Sequence, residues 1–81
     1  MFITEEMLRD TATIQLYWEM KFPESINPPD DYYIQKWLRY YPLETIMHEI
    51  EVTAGDAHRK GFSAESCGKL VSAGLRRLQA Q

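Results

Sequence analysis

The side chains best suited to metal or acid–base chemistry lie in the second half of the chain. Glu44, His48 and Glu51 are spaced by four and three residues, so a helix places them on one side. Carboxylate and imidazole groups together bind zinc and take part in proton transfer. A helical zinc-protease motif needs a second histidine four residues after the first, and that position is Val52. A solvated polar face is therefore the favoured interpretation, with a small metal-dependent enzyme as the minor alternative.

Cys67 is the other candidate for chemistry. A thiol at a helix N-terminus has a lowered pKa and can act as a nucleophile. Here the cysteine falls on the apolar stripe of the last predicted helix, where a buried and inert thiol is expected. Gly68 and Gly74 lie inside the same helical pattern, so they do not form a phosphate-binding loop after a strand. We expect no catalytic residue, no metal and no cofactor.

A mixture of aromatic and basic side chains marks one face of the second predicted helix. Tyr32, Lys36, Arg39 and Tyr40 fall on the side away from its apolar residues. Tyr and Arg often anchor protein interfaces, and aromatic rings beside cations also stack on unpaired bases and hold phosphates. A solvated face with local cation–π contacts is the alternative. These four residues are the predicted partner-binding site.

Charge is distributed unevenly along the chain. The net charge is −3, but residues 1–54 carry four basic and ten acidic side chains, whereas residues 55–81 carry five basic and two acidic. A basic region attracts nucleic acid or an acidic partner. It can also neutralise the acidic part of the fold and complement a helix C-terminus. If nucleic acid is bound, the candidate phosphate contacts are Lys36, Arg39, Lys69, Arg76 and Arg77.

Several large apolar residues fall outside the predicted core. Leu16 and Met20 lie on the outer side of the first predicted helix, and Val52 lies on the outer side of the third. Single exposed apolar residues need no explanation, but a converging set marks an interface. These three residues are therefore the candidates for a homodimer contact. Trp18 and Trp37 fall on the main apolar faces and are predicted core anchors.

The elements that must position these residues are helices. Apolar residues recur at spacings of three and four in four successive segments. The predicted fold is all-α, a compact bundle of four short amphipathic helices over about residues 5–22, 28–41, 43–60 and 64–79, in a single domain over 1–81. The predicted core stripes are Met7, Thr11, Ile14, Trp18 and Phe22; Ile34, Trp37, Leu38 and Tyr41; Leu43, Ile46, Met47, Ile50, Ala54 and Ala57; and Ala64, Cys67, Leu70, Val71, Gly74, Leu75 and Leu78.

Local signals set the expected ends of these helices. Thr4 is a typical N-cap, and Asn27 before Pro28 predicts the start of the second helix. Gly61 after a basic turn predicts a C-terminal glycine, and Ser63 predicts the cap of the fourth helix. Residues 49–54 also alternate like a strand, but no second candidate strand offers hydrogen bonds, so helix is favoured.

Length and composition limit the possible function classes. With 81 residues, 44% apolar and 26% charged, the chain matches one ordinary soluble domain and not a disordered or collagen-like chain. The lone Cys67 cannot form an intrachain disulfide, which favours a reducing compartment and predicts a cytoplasmic protein. No leader pattern and no run of about 18 apolar residues is visible, so no membrane partner is expected.

Two neighbouring segments also carry a family resemblance. The segments are Tyr33-Ile34-Gln35-Lys36-Trp37-Leu38 and Tyr41-Pro42-Leu43-Glu44-Thr45-Ile46, followed by Ile50. They resemble the C-terminal domain of bacterial and phage DnaD-like replication proteins, in which an Ile-x-x-Trp helix leads through a tight turn into a second helix. The resemblance implies a small helical module that takes part in primosome assembly and contacts DNA and other replication proteins. Residues 70–75 depart from the aromatic-rich final helix of that family.

The leading hypothesis from the sequence is a non-catalytic, cytoplasmic helical adaptor that binds another protein. The aromatic and basic face of the second helix would make the contact, with tyrosines as anchors and cations setting orientation. The alternative is a nucleic-acid-binding accessory module of the DnaD-like kind. A small metal-dependent enzyme is the third and minor hypothesis.

Overall fold

The computed structural model describes residues 4–22, 27–61 and 64–80, and four helices occupy most of them. The helices are α1 (Glu5–Lys21), α2 (Asp31–Tyr40), α3 (Leu43–Lys60) and α4 (Ala64–Ala80). Residues 49–54 belong to α3, so the rival strand interpretation of that segment is wrong. The all-α fold of four helices predicted from apolar periodicity is confirmed.

The start of α2 differs from the expected position. The Asn27 cap and the start at Pro28 are wrong, because α2 begins at Asp31 and its cap is Asp30, whose side chain accepts a hydrogen bond from the Tyr33 backbone N–H at 3.0 Å. A residue that precedes proline is disfavoured in the helical region, and Pro28 precedes Pro29. The helix therefore begins only after both prolines, with an aspartate cap.

The caps of α1 and α3 follow the expected pattern. Thr4 Oγ1 accepts a hydrogen bond from the Met7 backbone N–H at 3.1 Å. Gly61 has φ 70°, the left-handed conformation that glycine adopts without strain, and its N–H donates to Ala57 O at 2.8 Å. Gly55 lies inside α3 without ending it. The predicted Ser63 cap of α4 lies outside the described residues.

Residues of the predicted stripes form the core. The largest fully buried side chains are Ile14, Trp18, Ile34, Ile46, Ile50, Cys67, Val71 and Leu75. The Trp18 ring stacks on Phe22 with ring centroids 4.1 Å apart. Burying side chains of this size is the main stabilising contribution, at about 1.5–3 kcal/mol each. Leu78, also predicted on the core stripe, is 41% exposed because the buried stripe of α4 ends one turn earlier.

Helices α1 and α2 lie side by side and run in opposite directions. Gln15 Nε2, in the second half of α1, donates to Asp31 Oδ1 at the start of α2. Met7, near the start of α1, shares a cavity with Leu38 near the end of α2. The two-residue connection at 41–42 then turns the chain sharply into α3.

Helix α3 lies beside α1 and packs on α4. Tyr17 OH on α1 donates to Glu51 Oε2 on α3 at 3.4 Å, and Lys21 Nζ lies 4.0 Å from Glu51 Oε1. On α4, Gly74 lies under the side chain of Glu49, because a Cβ built on Gly74 would be 3.0 Å from Glu49 Cδ. The lack of a side chain at Gly74 allows a close approach, and the group that approaches is the Glu49 side chain.

Helices α2 and α4 run in the same direction and meet through side chains. Pro29, just before α2, lies at Gly68 of α4, where an added Cβ would be 3.7 Å from Pro29 Cγ. One turn further along both helices, Tyr33 of α2 contacts Ser72 of α4. The helix pairs in extensive contact are α1 with α2, α1 with α3, and α3 with α4. The seam between α2 and α4 is therefore more open than the other contacts.

None of the described helices combines the length and the hydropathy needed to cross a bilayer.

Candidate functional site

The four predicted partner-binding residues lie on the outer surface of α2. Tyr32 and Tyr40 are 73% and 61% exposed, and Lys36 and Arg39 are exposed as well. Positions 32, 36 and 40 follow one another at four-residue spacing, which aligns them along the helix. Two phenol rings and two cations thus share this surface.

A groove between α2 and α4 brings part of this surface together with the last helix. The groove measures about 250 Å³, and we call it the α2–α4 groove; its lining residues are Tyr33, Lys36, Trp37, Tyr40, Tyr41, Ser72 and Arg76. Four of these residues are aromatic. Tyr40 comes from the predicted partner-binding site, Arg76 comes from the predicted phosphate-binding set, and Lys36 belongs to both. The groove therefore brings together residues of the two sequence hypotheses.

Hydrogen bonds fix the position of two of the four aromatic side chains that line the groove. Trp37 Nε1 donates to Ser72 Oγ at 2.9 Å, and Tyr33 OH lies 3.0 Å from the same oxygen. The Tyr33 and Trp37 rings meet edge to face, with centroids 5.3 Å apart and an interplanar angle of 81°. Both rings are thereby held in place by one serine of α4. Trp37 is only 4% exposed, so its predicted role as a core anchor is confirmed.

The charge of the molecule divides between its helices. From the sequence, α2 and α4 together carry five basic and two acidic side chains, whereas α1 and α3 together carry four basic and eight acidic ones. Within the described ranges, Lys36 and Arg76 form no ion pair with a carboxylate. Their charges are therefore not neutralised locally. A positive potential is expected over the α2–α4 groove.

A second cavity of about 290 Å³ lies further toward the start of α2. Its lining residues are Trp18, Asn27, Pro29, Asp30, Tyr33, Gly68 and Lys69. Tyr33 lines both cavities and separates them. Lys69, a predicted phosphate contact, thus shares a cavity with the Asp30 carboxylate, whereas Arg76 lies in the neighbouring groove. Arg77 is exposed and lines neither cavity.

A third cavity of about 430 Å³, between α1 and the α2–α3 turn, was missed by sequence analysis. It is lined by Thr4, Glu6, Met7, Asp10, Leu38, Tyr41, Pro42, Leu43 and Glu44. Three of these residues are acidic, and Tyr41 is shared with the α2–α4 groove. Helical periodicity gives no sign of it, because its residues come from the starts of α1 and α3, from the end of α2 and from the turn that follows it.

The residues considered for metal or acid–base chemistry lie on the surface of α3. Glu44, His48 and Glu51 are all exposed, and Glu51 is engaged by Tyr17 and Lys21 of α1. Over residues 4–22, 27–61 and 64–80, no group of three or more His, Cys, Asp or Glu side chains is arranged to hold a metal ion. Glu44, His48 and Glu51 thus share a face of α3 without forming such a group among the described residues. The side chains that α1 brings to Glu51 are a tyrosine and a lysine.

Cys67 is fully buried in the core, as its position on the apolar stripe predicted. Burial raises the pKa of its thiol, because desolvation disfavours the thiolate. A protonated thiol without solvent access is a poor nucleophile. The expectation of a buried thiol is confirmed.

The proposed dimer residues are exposed but are not brought together by a described contact. Leu16, Met20 and Val52 are 62%, 77% and 45% exposed. The side-chain contacts described between α1 and α3 at this level run through Tyr17 and Glu51. None of the three lines the α2–α4 groove.

Glu49 is a buried charged residue that the sequence analysis missed. It is only 9% exposed and lies over Gly74 of α4. A glycine inside the apolar stripe of α4 was the available signal, since such a glycine marks a position where a neighbour comes close. Nothing in the spacing of α3 indicated that the neighbour was a carboxylate.

Comparison of the chain with protein-family models, with curated proteins and with solved structures found no match. The resemblance to DnaD-like domains stays a prediction from the residues that carry it.

Proposed function

We propose that the chain is a non-catalytic, cytoplasmic protein-interaction module that binds its partner through α2 and the adjoining α2–α4 groove. Tyr32 and Tyr40 anchor the partner, and Lys36 and Arg39 orient it. The observation that carries the proposal is the exposure of two tyrosine rings, 73% and 61%, beside a groove that α4 completes. Rings of this size lose much solvent contact when a partner covers them, which is typical of interface anchors.

The geometry of the groove supports binding more than catalysis. Two of its four aromatic side chains, Tyr33 and Trp37, are held by hydrogen bonds to Ser72, so these two lose little side-chain entropy when a ligand arrives. Its two cations, Lys36 and Arg76, provide charge recognition. A pre-formed aromatic groove with a few polar groups is the usual form of a recognition site.

The test compares partner capture by the wild-type chain and by the Tyr32→Ala/Tyr40→Ala variant, with proteins quantified by isotope-labelled mass spectrometry. We expect the variant to lose the partner and to keep its melting temperature, since exposed substitutions change stability by about 0.5 kcal/mol or less. The matched control is Leu16→Ala/Met20→Ala, which truncates equally exposed residues on α1.

The control decides between two surfaces. If the partner is lost in the Leu16→Ala/Met20→Ala variant and kept in the tyrosine variant, the contact surface is α1 and the proposal is wrong. Sedimentation velocity at several concentrations adds the homodimer test. A dimer that dissociates in the α1 variant alone would assign Leu16 and Met20 to self-association.

A nucleic-acid accessory module, as the DnaD-like resemblance implies, is the second candidate. One observation favours it: Lys36, Arg39, Lys69, Arg76 and Arg77 all belong to α2 and α4 and are exposed. Aromatic rings beside such cations suit single-stranded nucleic acid. On this hypothesis, each cation meets a phosphate and releases a counterion.

Fluorescence anisotropy with labelled 20-nucleotide single and double strands tests this candidate. Five phosphate contacts predict a fall in single-strand affinity of about 100-fold between 50 and 200 mM salt. The Lys69→Gln/Arg76→Gln variant should bind more weakly, whereas Arg59→Gln/Lys60→Gln at the end of α3 should not. If neither the single-stranded nor the double-stranded oligonucleotide binds at low salt, the nucleic-acid function is eliminated.

A further inference from the structure

We infer that the α2–α4 groove is a carboxylate-recognition site that takes an acidic segment of a partner protein, with one carboxylate between Lys36 and Arg76 and a neighbouring apolar side chain on the aromatic wall. This inference rests on the proposed function and names the chemistry of the ligand. Its basis is the balance of hydrogen-bond donors in the groove, the two cations from facing helices, and the distribution of acidic residues along the seam.

The hydroxyl groups in the groove have one more hydrogen than they need for each other. Ser72 Oγ accepts from Trp37 Nε1, and it shares one hydrogen bond with Tyr33 OH, in which either oxygen can be the donor. Each hydroxyl carries one hydrogen. Whichever hydroxyl donates in this hydrogen bond, the hydrogen of the other hydroxyl is left without an acceptor. Over the described residues, no further acceptor bonds Tyr33 OH or Ser72 Oγ. The groove therefore offers a free donor to an incoming oxygen.

Two cations line the groove that contains this donor. Lys36 comes from α2 and Arg76 from α4, so a ligand in the groove meets a positive charge from each helix. Neither side chain forms an ion pair within the described ranges. A groove that contains a hydroxyl donor, an ammonium and a guanidinium favours an ionised oxygen, since charge-assisted hydrogen bonds are the stronger kind. A carboxylate accepts all three.

The remaining wall of the groove is aromatic. Tyr40 is 61% exposed and Tyr41 is half-buried, and both line the groove beside Lys36. An aromatic or aliphatic side chain next to the bound carboxylate would cover these rings. The ligand chemistry is therefore an acidic residue adjacent to an apolar one, which a peptide segment provides in two successive residues.

An acidic residue at the start of the seam favours a protein over a nucleic acid. Asp30 lines the second cavity together with Lys69, so the charge there is mixed. A nucleic-acid strand lying along the seam would bring a phosphate against the Asp30 carboxylate, because phosphates repeat at every nucleotide. A peptide carries its charges at chosen positions. It can place a carboxylate at Lys36 and Arg76 and avoid Asp30.

The experiment uses the full chain and two synthetic peptides that differ only in charge. One peptide has the central sequence Glu-Phe-Glu and the other Gln-Phe-Gln, each flanked by Gly-Ser. Titration of the ¹⁵N-labelled protein is followed at the two tryptophan indole resonances. We expect the acidic peptide to shift the Trp37 signal, whose N–H donates to Ser72, and to leave Trp18 in the core unmoved. The Gln-Phe-Gln peptide should bind at least tenfold more weakly.

Two neighbouring arginines give a matched pair of variants. Arg76→Gln removes a groove cation, whereas Arg77→Gln removes the same charge from an exposed position outside the groove. We expect Arg76→Gln to weaken the acidic peptide about tenfold and Arg77→Gln less than twofold. Both residues are exposed, so both variants should fold, and their indole spectra without peptide provide the check.

The inference is overturned if the Trp37 resonance does not respond to millimolar acidic peptide, or if Arg77→Gln weakens binding as much as Arg76→Gln. It is also overturned if a labelled oligonucleotide moves the Trp37 resonance and the peptide does not. Failure here is distinguishable from failure of the proposed function. Partner capture that depends on Tyr32 and Tyr40 but not on Arg76 would keep the interaction module and discard the carboxylate site.

Discussion

Helix α4 meets its two neighbours in opposite ways. Toward the interior, where α3 packs on it, the helix contributes the fully buried Cys67, Val71 and Leu75. Toward α2, it presents Gly68, Ser72 and Arg76, which line two cavities. One side of the helix is therefore closed by apolar packing, and the other is bridged by hydrogen bonds and left open.

The difference shows which contacts hold the fold and which are available for binding. Each fully buried apolar side chain contributes about 1.5–3 kcal/mol, whereas a neutral hydrogen bond contributes about 1 kcal/mol net. The α3–α4 contact is thus the stable one. The α2–α4 seam is weaker, and for that reason it can accept a ligand without loss of the core.

The largest effect should come from the packed side. Leu75→Ala leaves a cavity in the core, and we expect it to lower the free energy of unfolding by about 2–5 kcal/mol. Urea denaturation followed by tryptophan fluorescence measures the change. An effect below about 1 kcal/mol would mean that apolar packing on α3 does not hold α4 in place. The contrast between the packed α3–α4 contact and the open α2–α4 seam would then be wrong.

A smaller effect should come from the bridged side. Ser72→Ala removes the acceptor of Trp37 Nε1 and the partner of Tyr33 OH, and we expect a loss of about 1–2 kcal/mol. The Trp37 indole resonance should also move, because its hydrogen bond is gone. An unchanged indole resonance would contradict the described bridge.

The two glycines inside α4 sharpen the comparison further. Gly68→Ala adds a methyl group at an ordinary 3.7 Å from Pro29 Cγ, so gained helix propensity should stabilise the protein by about 0.5–1 kcal/mol. Gly74→Ala adds the same methyl group where the Glu49 carboxylate lies, and the carboxylate must move.

The gain in free energy of unfolding should accordingly be smaller for Gly74→Ala than for Gly68→Ala, by about 1 kcal/mol. Repeating both substitutions in a Glu49→Ala background provides the control, and the difference should vanish there. A difference that persists without the Glu49 side chain would refute the close approach at Gly74.

The smallest effect at neutral pH concerns Cys67. Its thiol has a raised pKa in the folded state, so the folded chain keeps a proton that the unfolded chain loses above about pH 8.5. The stability provided by the protonated thiol is complete below that pH, and it decreases as pH rises toward the folded pKa. Urea denaturation between pH 7 and 10 should show this decrease in wild type and not in Cys67→Ala. If the free energy of unfolding changed with pH equally in both proteins, the raised pKa of the Cys67 thiol would be contradicted.

Apolar periodicity was sufficient to predict the helices and their buried faces. Ile34 and Trp37 are buried as expected, and α3 begins at Leu43 as expected because Pro42 ends the preceding helix. The predicted start of α2 was wrong because two local signals competed. Asn27 favoured an early start, but Pro29 disfavours a helical conformation at Pro28, and this restriction prevailed. Helix ends depend on such local competition, whereas buried faces depend on a whole segment.

The groove was predicted only in part, because periodicity says which face of a helix is polar and not which helix that face will meet. Lys36 and Tyr40 were identified on α2, and Arg76 was identified on α4 as a candidate phosphate contact. Their meeting across the seam depends on the packing of α2 on α1 and of α4 on α3. Tyr33 was missed as a site residue, since a half-buried tyrosine belongs neither to the core nor to the surface by spacing alone.

The shared direction of α2 and α4 makes the groove between them a polarised channel with two different ends. Near the beginnings of both helices the seam contains Asp30 beside Lys69, and further along it contains the two cations Lys36 and Arg76. A linear molecule laid along it experiences different surroundings when turned end for end. The fold therefore favours one of the two orientations of a bound linear molecule. A groove with the same residues at both ends would bind both orientations equally.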